Sequence, residues 1–120
     1  RLEKQLDRER KAMATHDRQL MIRESGNFHR VLGQLSGNHI LAELNEALIV
    51  RSSLIIALYQ ETPNVRCSIG EHESVMEALL AEDRDGALRL MEEHMKDIQK
   101  HLLLGRKESR VNLRQALAEQ

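Results

Sequence analysis

Apolar residues recur every three or four positions along most of this chain, the spacing of one face of an α-helix. The pattern predicts helices over about residues 1–13, 16–35, 39–60 and 86–104, and another that begins near residue 68. The tail, residues 106–120, has a weaker pattern and is predicted to be a tail or a short last helix. Short turns between helices are typical of an antiparallel bundle. We therefore predict an all-α fold, an antiparallel bundle of five to six helices, with its domain over residues 1–105.

Small polar residues mark the predicted helix ends. Thr15 is a candidate N-cap of the second helix, and residues 36–38, Ser-Gly-Asn, end that helix and cap the third. Ser68 and Glu71 have the spacing of a capping box, so the fourth helix is predicted to begin there. Gly105 is predicted to end the fifth helix.

The third predicted helix is apolar nearly all round in its second half, so we expect it to be the central and most buried element. Arg51 interrupts it, with aliphatic helical neighbours: Leu44, Leu48, Ile55 and Leu58. Because an unpaired buried charge is very costly, its guanidinium should pair with a glutamate, reach the surface, or hold an acidic ligand in bidentate geometry. Asn45 and Ser52, on the adjacent face, could add hydrogen bonds to such a ligand.

The amino-acid composition supports a helical fold and argues against nucleic-acid binding or membrane spanning by this chain. Aromatic residues make up 2% and there is one proline, so residues that favour sheet are scarce. The 18 basic and 19 acidic residues leave a net charge of -1, without the basic footprint of a nucleic-acid-binding chain. The longest apolar run is interrupted at residues 51–53 and is too short to span a bilayer. A single cysteine, Cys67, allows no intrachain disulfide and fits a cytoplasmic location.

Three histidines, His29, His72 and His94, fall on the apolar stripes of three different predicted helices. A single histidine in such a position is usually a packed residue bonded to a neighbour. Three together favour a site, because neutral imidazole suits zinc, nickel, copper and iron, and bundles supply such ligands from facing helices.

Enzyme motifs that use histidines in helices are absent. The run that begins at His72 lacks the second histidine of the HExxH zinc-protease motif, since Met76 occupies that position. The Glu-x-x-His pair of di-iron bundles is also missing, because Ile69 and Met91 stand three residues before His72 and His94. The absence of both motifs favours ligand binding over hydrolysis or oxygen activation.

Two blocks of the sequence resemble a known family. Residues 27–32, Asn-Phe-His-Arg-Val-Leu, with the Ser-Gly-Asn of residues 36–38, resemble the FH…L…GN motif of the FadR-like C-terminal domain (FCD) of GntR-type bacterial transcription regulators. Residues 71–94 resemble its EH…I..AI..GD…A…M..H block, and the 22-residue interval from His72 to His94 matches. The resemblance covers about residues 1–104.

The resemblance implies a helical domain that binds a small effector, often a carboxylate, and frequently holds a divalent metal through an aspartate and three histidines. The matching histidines here are His29, His72 and His94, but Ser25 occupies the position of the aspartate. A hydroxyl is a far weaker ligand than a carboxylate, so water or an effector oxygen would complete the shell. We expect zinc or nickel as the metal, and these effector-binding residues: Arg51, Ser25, Asn45 and Ser52.

The resemblance further implies a preceding winged helix-turn-helix domain that binds operator DNA as a dimer. That domain is absent from this sequence, and the first helix of the family's effector domain is expected to be truncated. We therefore expect the ligand-sensing and dimerisation part of a cytoplasmic regulator, a homodimer and not an enzyme. Its partners would be a small organic acid and, through the missing domain, operator DNA. We expect no membrane partner. The alternatives are a metal-dependent bundle enzyme or oxygen-binding protein using the same histidines, and a purely structural dimerisation module.

Overall fold

A computed structural model describes residues 1–60 and 68–118, and the side chains of residues 1–60 and 69–102. Within these ranges the chain forms helices and no strand. The five helices are α1 (Leu2–Ala14), α2 (Arg18–Leu35), α3 (His39–Tyr59), α4 (Ser68–Leu80) and α5 (Arg84–Ala118). The prediction of an all-α bundle is confirmed. None of the described helices combines the length and the apolarity that crossing a membrane requires.

Asparagine and aspartate side chains cap α2 and α3. Asp17 Oδ1 accepts a hydrogen bond of 3.1 Å from a backbone amide in the first turn of α2, and Asn38 Oδ1 accepts one of 3.2 Å in α3. Thr15 was predicted to cap α2, and this is wrong. Its backbone is still helical, and its hydroxyl donates to the carbonyl of Ala12 at the end of α1. Asp17 instead has the extended backbone that an N-cap needs.

Helix α5 does not end at Gly105, as the sequence pattern predicted, but continues to Ala118, so that residues 106–118 extend it. A glycine inside a helix costs only about 1 kcal/mol relative to alanine, which good helix formers on both sides can offset. Cys67 and residues 119–120 lie outside the described residues.

The core lies between α1, α2 and α4. Two groups of buried apolar side chains form it: Leu6, Phe28 and Val75 in one, and Ala12, Met21 and Ile22 in the other. The ring of Phe28 also stacks on the ring of His72, with centroids 4.0 Å apart and an interplanar angle of 7°. The apolar core therefore continues directly into the histidines.

Helix α3 is not the most buried element, contrary to prediction. Its one buried side chain is Ile49, whereas Leu44, Leu48 and Leu58 are 59%, 61% and 65% exposed. Arg51 is also exposed, so its guanidinium is not in the apolar interior. Because the apolar residues of α3 lie on nearly all of its faces, their periodicity could not indicate which face packs against the bundle.

Helices α2 and α3 approach each other closely at two glycines of α2. A Cβ added at Gly33 would lie 2.6 Å from Nδ2 of Asn45, and one at Gly26 would lie 3.2 Å from a methyl group of Ile49. Asn45 Nδ2 donates a 2.7 Å hydrogen bond to the carbonyl of His29. The glycines therefore allow α3 to lie directly against the turn of α2 that carries His29.

We expect Gly33→Ala to lower the free energy of unfolding by about 1–2 kcal/mol. The new methyl group would displace Asn45, at a cost typical of overpacking that exceeds the gain in helix propensity. Gly70→Ala is the control, because a Cβ at Gly70 in α4 meets no atom within 4 Å. It should be neutral or stabilising by up to about 1 kcal/mol. Urea unfolding of both variants measures the difference, and a Gly33→Ala protein as stable as the control would contradict the close approach.

Candidate metal centre

The three histidines that the sequence singled out lie together, although they come from α2, α4 and α5. The Nε2 atoms of His72 and His94 are 3.1 Å apart, those of His72 and His29 are 3.2 Å apart, and those of His94 and His29 are 3.3 Å apart. His72 and His94 are buried, and His29 is half-buried. All three rings therefore direct the same nitrogen toward one point.

This triangle of nitrogens has the size that a single metal ion requires. Zinc lies about 2.0–2.1 Å from an imidazole nitrogen, so two tetrahedral nitrogen ligands of one ion are about 3.3 Å apart. The three observed separations, 3.1–3.3 Å, are close to that value. The arrangement meets the geometric requirement for three ligands of one ion and leaves a fourth position for another ligand.

Carboxylates contact two of the rings at Nδ1, the nitrogen that points away from the triangle. Nδ1 of His72 lies 2.9 and 3.0 Å from the two carboxylate oxygens of Glu9 in α1. Nδ1 of His94 is hydrogen-bonded to the carboxylate of Glu71. When ionised, such a carboxylate only accepts, so it keeps the ring proton on Nδ1 and leaves the Nε2 lone pair available. Partners of this kind orient metal-ligating histidines and increase their basicity.

Neither carboxylate was assigned to the site from the sequence. Glu71 was assigned only to a capping box. Glu9 has a signal that could have identified it, because it lies between Leu6 and Met13 at helical spacing, on the apolar edge of an otherwise polar helix. A carboxylate on an apolar edge needs a buried partner, and in the structure that partner is His72.

Burial controls the protonation of these groups. It lowers the pKa of His72 to about 2, with a further contribution from the neighbouring His29 and His94. It also lowers the pKa of His29 to about 4, again with a contribution from His94. Burial raises the pKa of Glu9 to about 8, assisted by the charges of two nearby glutamates. At neutral pH His29 and His72 are therefore neutral, the form that binds metal. The Glu9 carboxyl is then largely protonated, and a cation bound to His72 would favour its ionised form.

The half-buried edge of His29 opens onto a cavity of about 300 Å³, the lower end of the range for small-molecule sites. Three of the four predicted effector-binding residues line it, namely Ser25, Asn45 and Ser52. Arg51 does not. It is exposed on the side of α3 opposite the buried Ile49, so the structure does not bring it together with the others.

The wall of the cavity is mixed in character. Serine, asparagine and glutamine side chains alternate with aliphatic ones, and the charged residues in the wall are acidic: Glu71 and Asp97. No lysine or arginine lines the cavity among the residues that the structure describes. The described part of the wall therefore supplies no lysine or arginine charge to an anionic ligand.

We expect Glu9→Gln to weaken zinc binding by about 10–100-fold, the usual effect of removing an outer carboxylate from a metal-bound histidine. The amide keeps the size of the side chain but cannot supply the negative charge that Glu9 would carry when a cation is bound to His72. Glu77→Gln, an exposed position on α4, makes the same charge change away from the site and should leave the affinity unchanged. Competition with a chromophoric chelator measures both variants. Equal affinity of Glu9→Gln and wild type would show that Glu9 does not support a metal ligand.

Comparison with known protein families gives a match over most of the chain. The model of the FCD domain family matches residues 1–97, most of the chain. No curated protein and no solved structure matches significantly. The matched range contains all three histidines and both carboxylates behind them. The chain therefore belongs to the FCD domain family, the C-terminal effector-binding domains of GntR-type regulators.

Proposed function

We propose that this chain is the sensory domain of a transcription regulator, in which His29, His72 and His94 hold a divalent metal ion and a small organic acid completes its shell. The observation that carries the proposal is the triangle of Nε2 atoms, 3.1–3.3 Å on each side, next to a cavity of about 300 Å³. Catalysis is not part of this function. The ion and the cavity serve recognition.

The donor set favours zinc or nickel. Three neutral imidazole nitrogens are ligands of borderline softness, which suit these ions better than magnesium or calcium. When bound, the ion supplies positive charge and an open coordination position for an oxygen ligand. His72 and His94 are oriented by Glu9 and Glu71, while His29 forms the side of the site that faces the cavity.

An anionic effector fits this cavity only through the ion. The wall contains acidic residues and no basic residue among the described side chains, so a carboxylate would be repelled from an ion-free site. With the ion in place, one carboxylate oxygen would occupy the open position. Ser25, Asn45 and Ser52 are placed to hydrogen-bond the polar remainder of the molecule. Arg51 has no role in this binding, because it lies outside the cavity.

Regulation would follow from the position of the cavity between helices. Residues of α2, α3, α4 and α5 line it, so a ligand that binds one packing of these helices more tightly shifts their arrangement. We propose that the regulator is a homodimer in the cytoplasm and that a DNA-binding domain outside this sequence responds to the shift. The coupling is measured as a change in operator affinity when the effector binds.

Metal analysis and ligand titration test this function. Protein purified without a histidine tag should contain about one equivalent of zinc or nickel, and His72→Ala should lose it because one of three nitrogen ligands is removed. Succinate, used as a probe acid, should raise the melting temperature of the metal-loaded protein and not of the chelator-treated one. Absence of stoichiometric metal from the wild type would overturn the metal part. A succinate response that persists after chelation would overturn the role of the ion in acid binding.

Ser25→Asp tests the open coordination position. We expect zinc affinity to rise by at least about tenfold, since a carboxylate replaces a hydroxyl beside the three histidines. Affinity for succinate should fall, because the new ligand occupies the position that the acid would take and adds negative charge. Gln19→Asp adds the same charge at an exposed position in the first turn of α2 and serves as the control. Calorimetry with zinc and then with succinate separates the two effects, and an increase in both affinities would contradict the proposal.

A further inference from the structure

The face of α3 that points away from the bundle is apolar along its length except at Arg51. Six residues form it, separated by four, three, four, three and four positions: Ile40, Leu44, Ala47, Arg51, Leu54 and Leu58. We call this row the outer seam. It lies opposite the buried Ile49 on the helix, and its spacing is that of the a and d positions of a coiled coil. Leu41, Leu48 and Ile55 flank it at intervals of seven residues.

The outer seam is uncovered in the described part of the chain. Ile40 and Leu54 are 60% and 61% exposed, and the flanking Leu41 is 54% exposed. Together with the exposed leucines at 44, 48 and 58, these side chains present several hundred Å² of apolar area, as large as the biggest patches of a typical monomer, about 300–600 Å². It also approaches the roughly 800 Å² that each partner contributes to a stable protein interface.

We propose that the outer seam binds the outer seam of a second copy of this chain, with the two α3 helices antiparallel. The two-fold axis crosses the interface at the level of residue 49, on the face opposite the buried Ile49 side chain. In this register Ile40 faces Leu58 of the second copy and Leu44 faces Leu54. Ala47 faces Arg51, so that the smallest residue of the row meets the largest. A two-fold axis makes every contact occur twice. The complementary Ala47–Arg51 pair therefore forms once on each side of the axis.

Charge complementarity supports the antiparallel arrangement. Glu43 lies one helical turn before Ala47, on the same side of α3, and is therefore within reach of the Arg51 guanidinium that packs over Ala47 of the other copy. Both residues are exposed, and neither forms an ion pair within the described residues. A parallel pair would instead place the two Arg51 side chains at the same level, where like charges repel.

A charge-swap cycle tests the interface and its register. Sedimentation equilibrium of the zinc-loaded chain should give a dimer at micromolar concentration. Arg51→Glu would face Glu43, and Glu43→Arg would face Arg51, so each single change should raise the dimer dissociation constant by at least about tenfold. The double variant restores opposite charges and should return the constant to within about threefold of wild type. Arg89→Glu, an exposed position on α5, reverses a charge elsewhere and should have no effect.

Sedimentation and zinc affinity test the interface and the proposed function separately. The interface rests on the proposed function only for the expectation of a homodimer. A monomeric wild type would overturn the interface, and single variants that dimerise as well as wild type would do the same. A double variant as weak as the singles would overturn the antiparallel register. Zinc affinity is measured in parallel. If zinc fails to bind while the charge-swap cycle behaves as described, the inference stands and the proposed metal function fails.

Discussion

The convergence of three buried imidazoles is the constraint on which the rest of this structure depends. Nitrogen lone pairs about 3 Å apart repel each other unless a proton or a metal ion lies between them. Burial holds the pKa values of His29 and His72 far below the ordinary range, so these two rings do not take up a second proton near neutral pH. Glu9 and Glu71 behind the rings and Phe28 stacked on His72 determine how the rings point. The core and the candidate site are therefore the same cluster of side chains.

Helix α3 connects this cluster with the outside of the molecule. Gly26 and Gly33 of α2 let it approach the backbone near His29, where Asn45 hydrogen-bonds to the His29 carbonyl. One face of α3 then forms a wall of the cavity, and the opposite face carries the exposed outer seam. Any ligand that displaces the cavity wall would displace the seam with it, because a helix moves as a rigid unit. The proposed ligand response and the proposed interface both place their contacts on this one helix.

The differences between expectation and structure have separate physical origins. Thr15 and Asp17 are both good N-cap residues, and composition does not distinguish which of them adopts the extended backbone. Gly105 is a weak helix breaker, and α5 continues through it. The prediction that α3 is the most buried helix was wrong for a different reason. A helix that is apolar on all sides is usually buried, but here one side packs on α2 and the other is exposed, as in a helix that packs against a second partner.

The sequence by itself determined the helices, the family and the three histidines, because helical spacing and motif intervals are properties of the chain order. Ser25 was predicted from the motif position four residues before His29, and Asn45 and Ser52 from the face of α3 adjacent to Arg51. All three line the same cavity, although Arg51 does not. Only the tertiary structure decided that Glu9 lies behind His72 and that Arg51 lies outside the cavity. The physical reason is that periodicity places side chains on faces of one helix. The rotation of each helix against its neighbours depends on packing between residues distant in sequence.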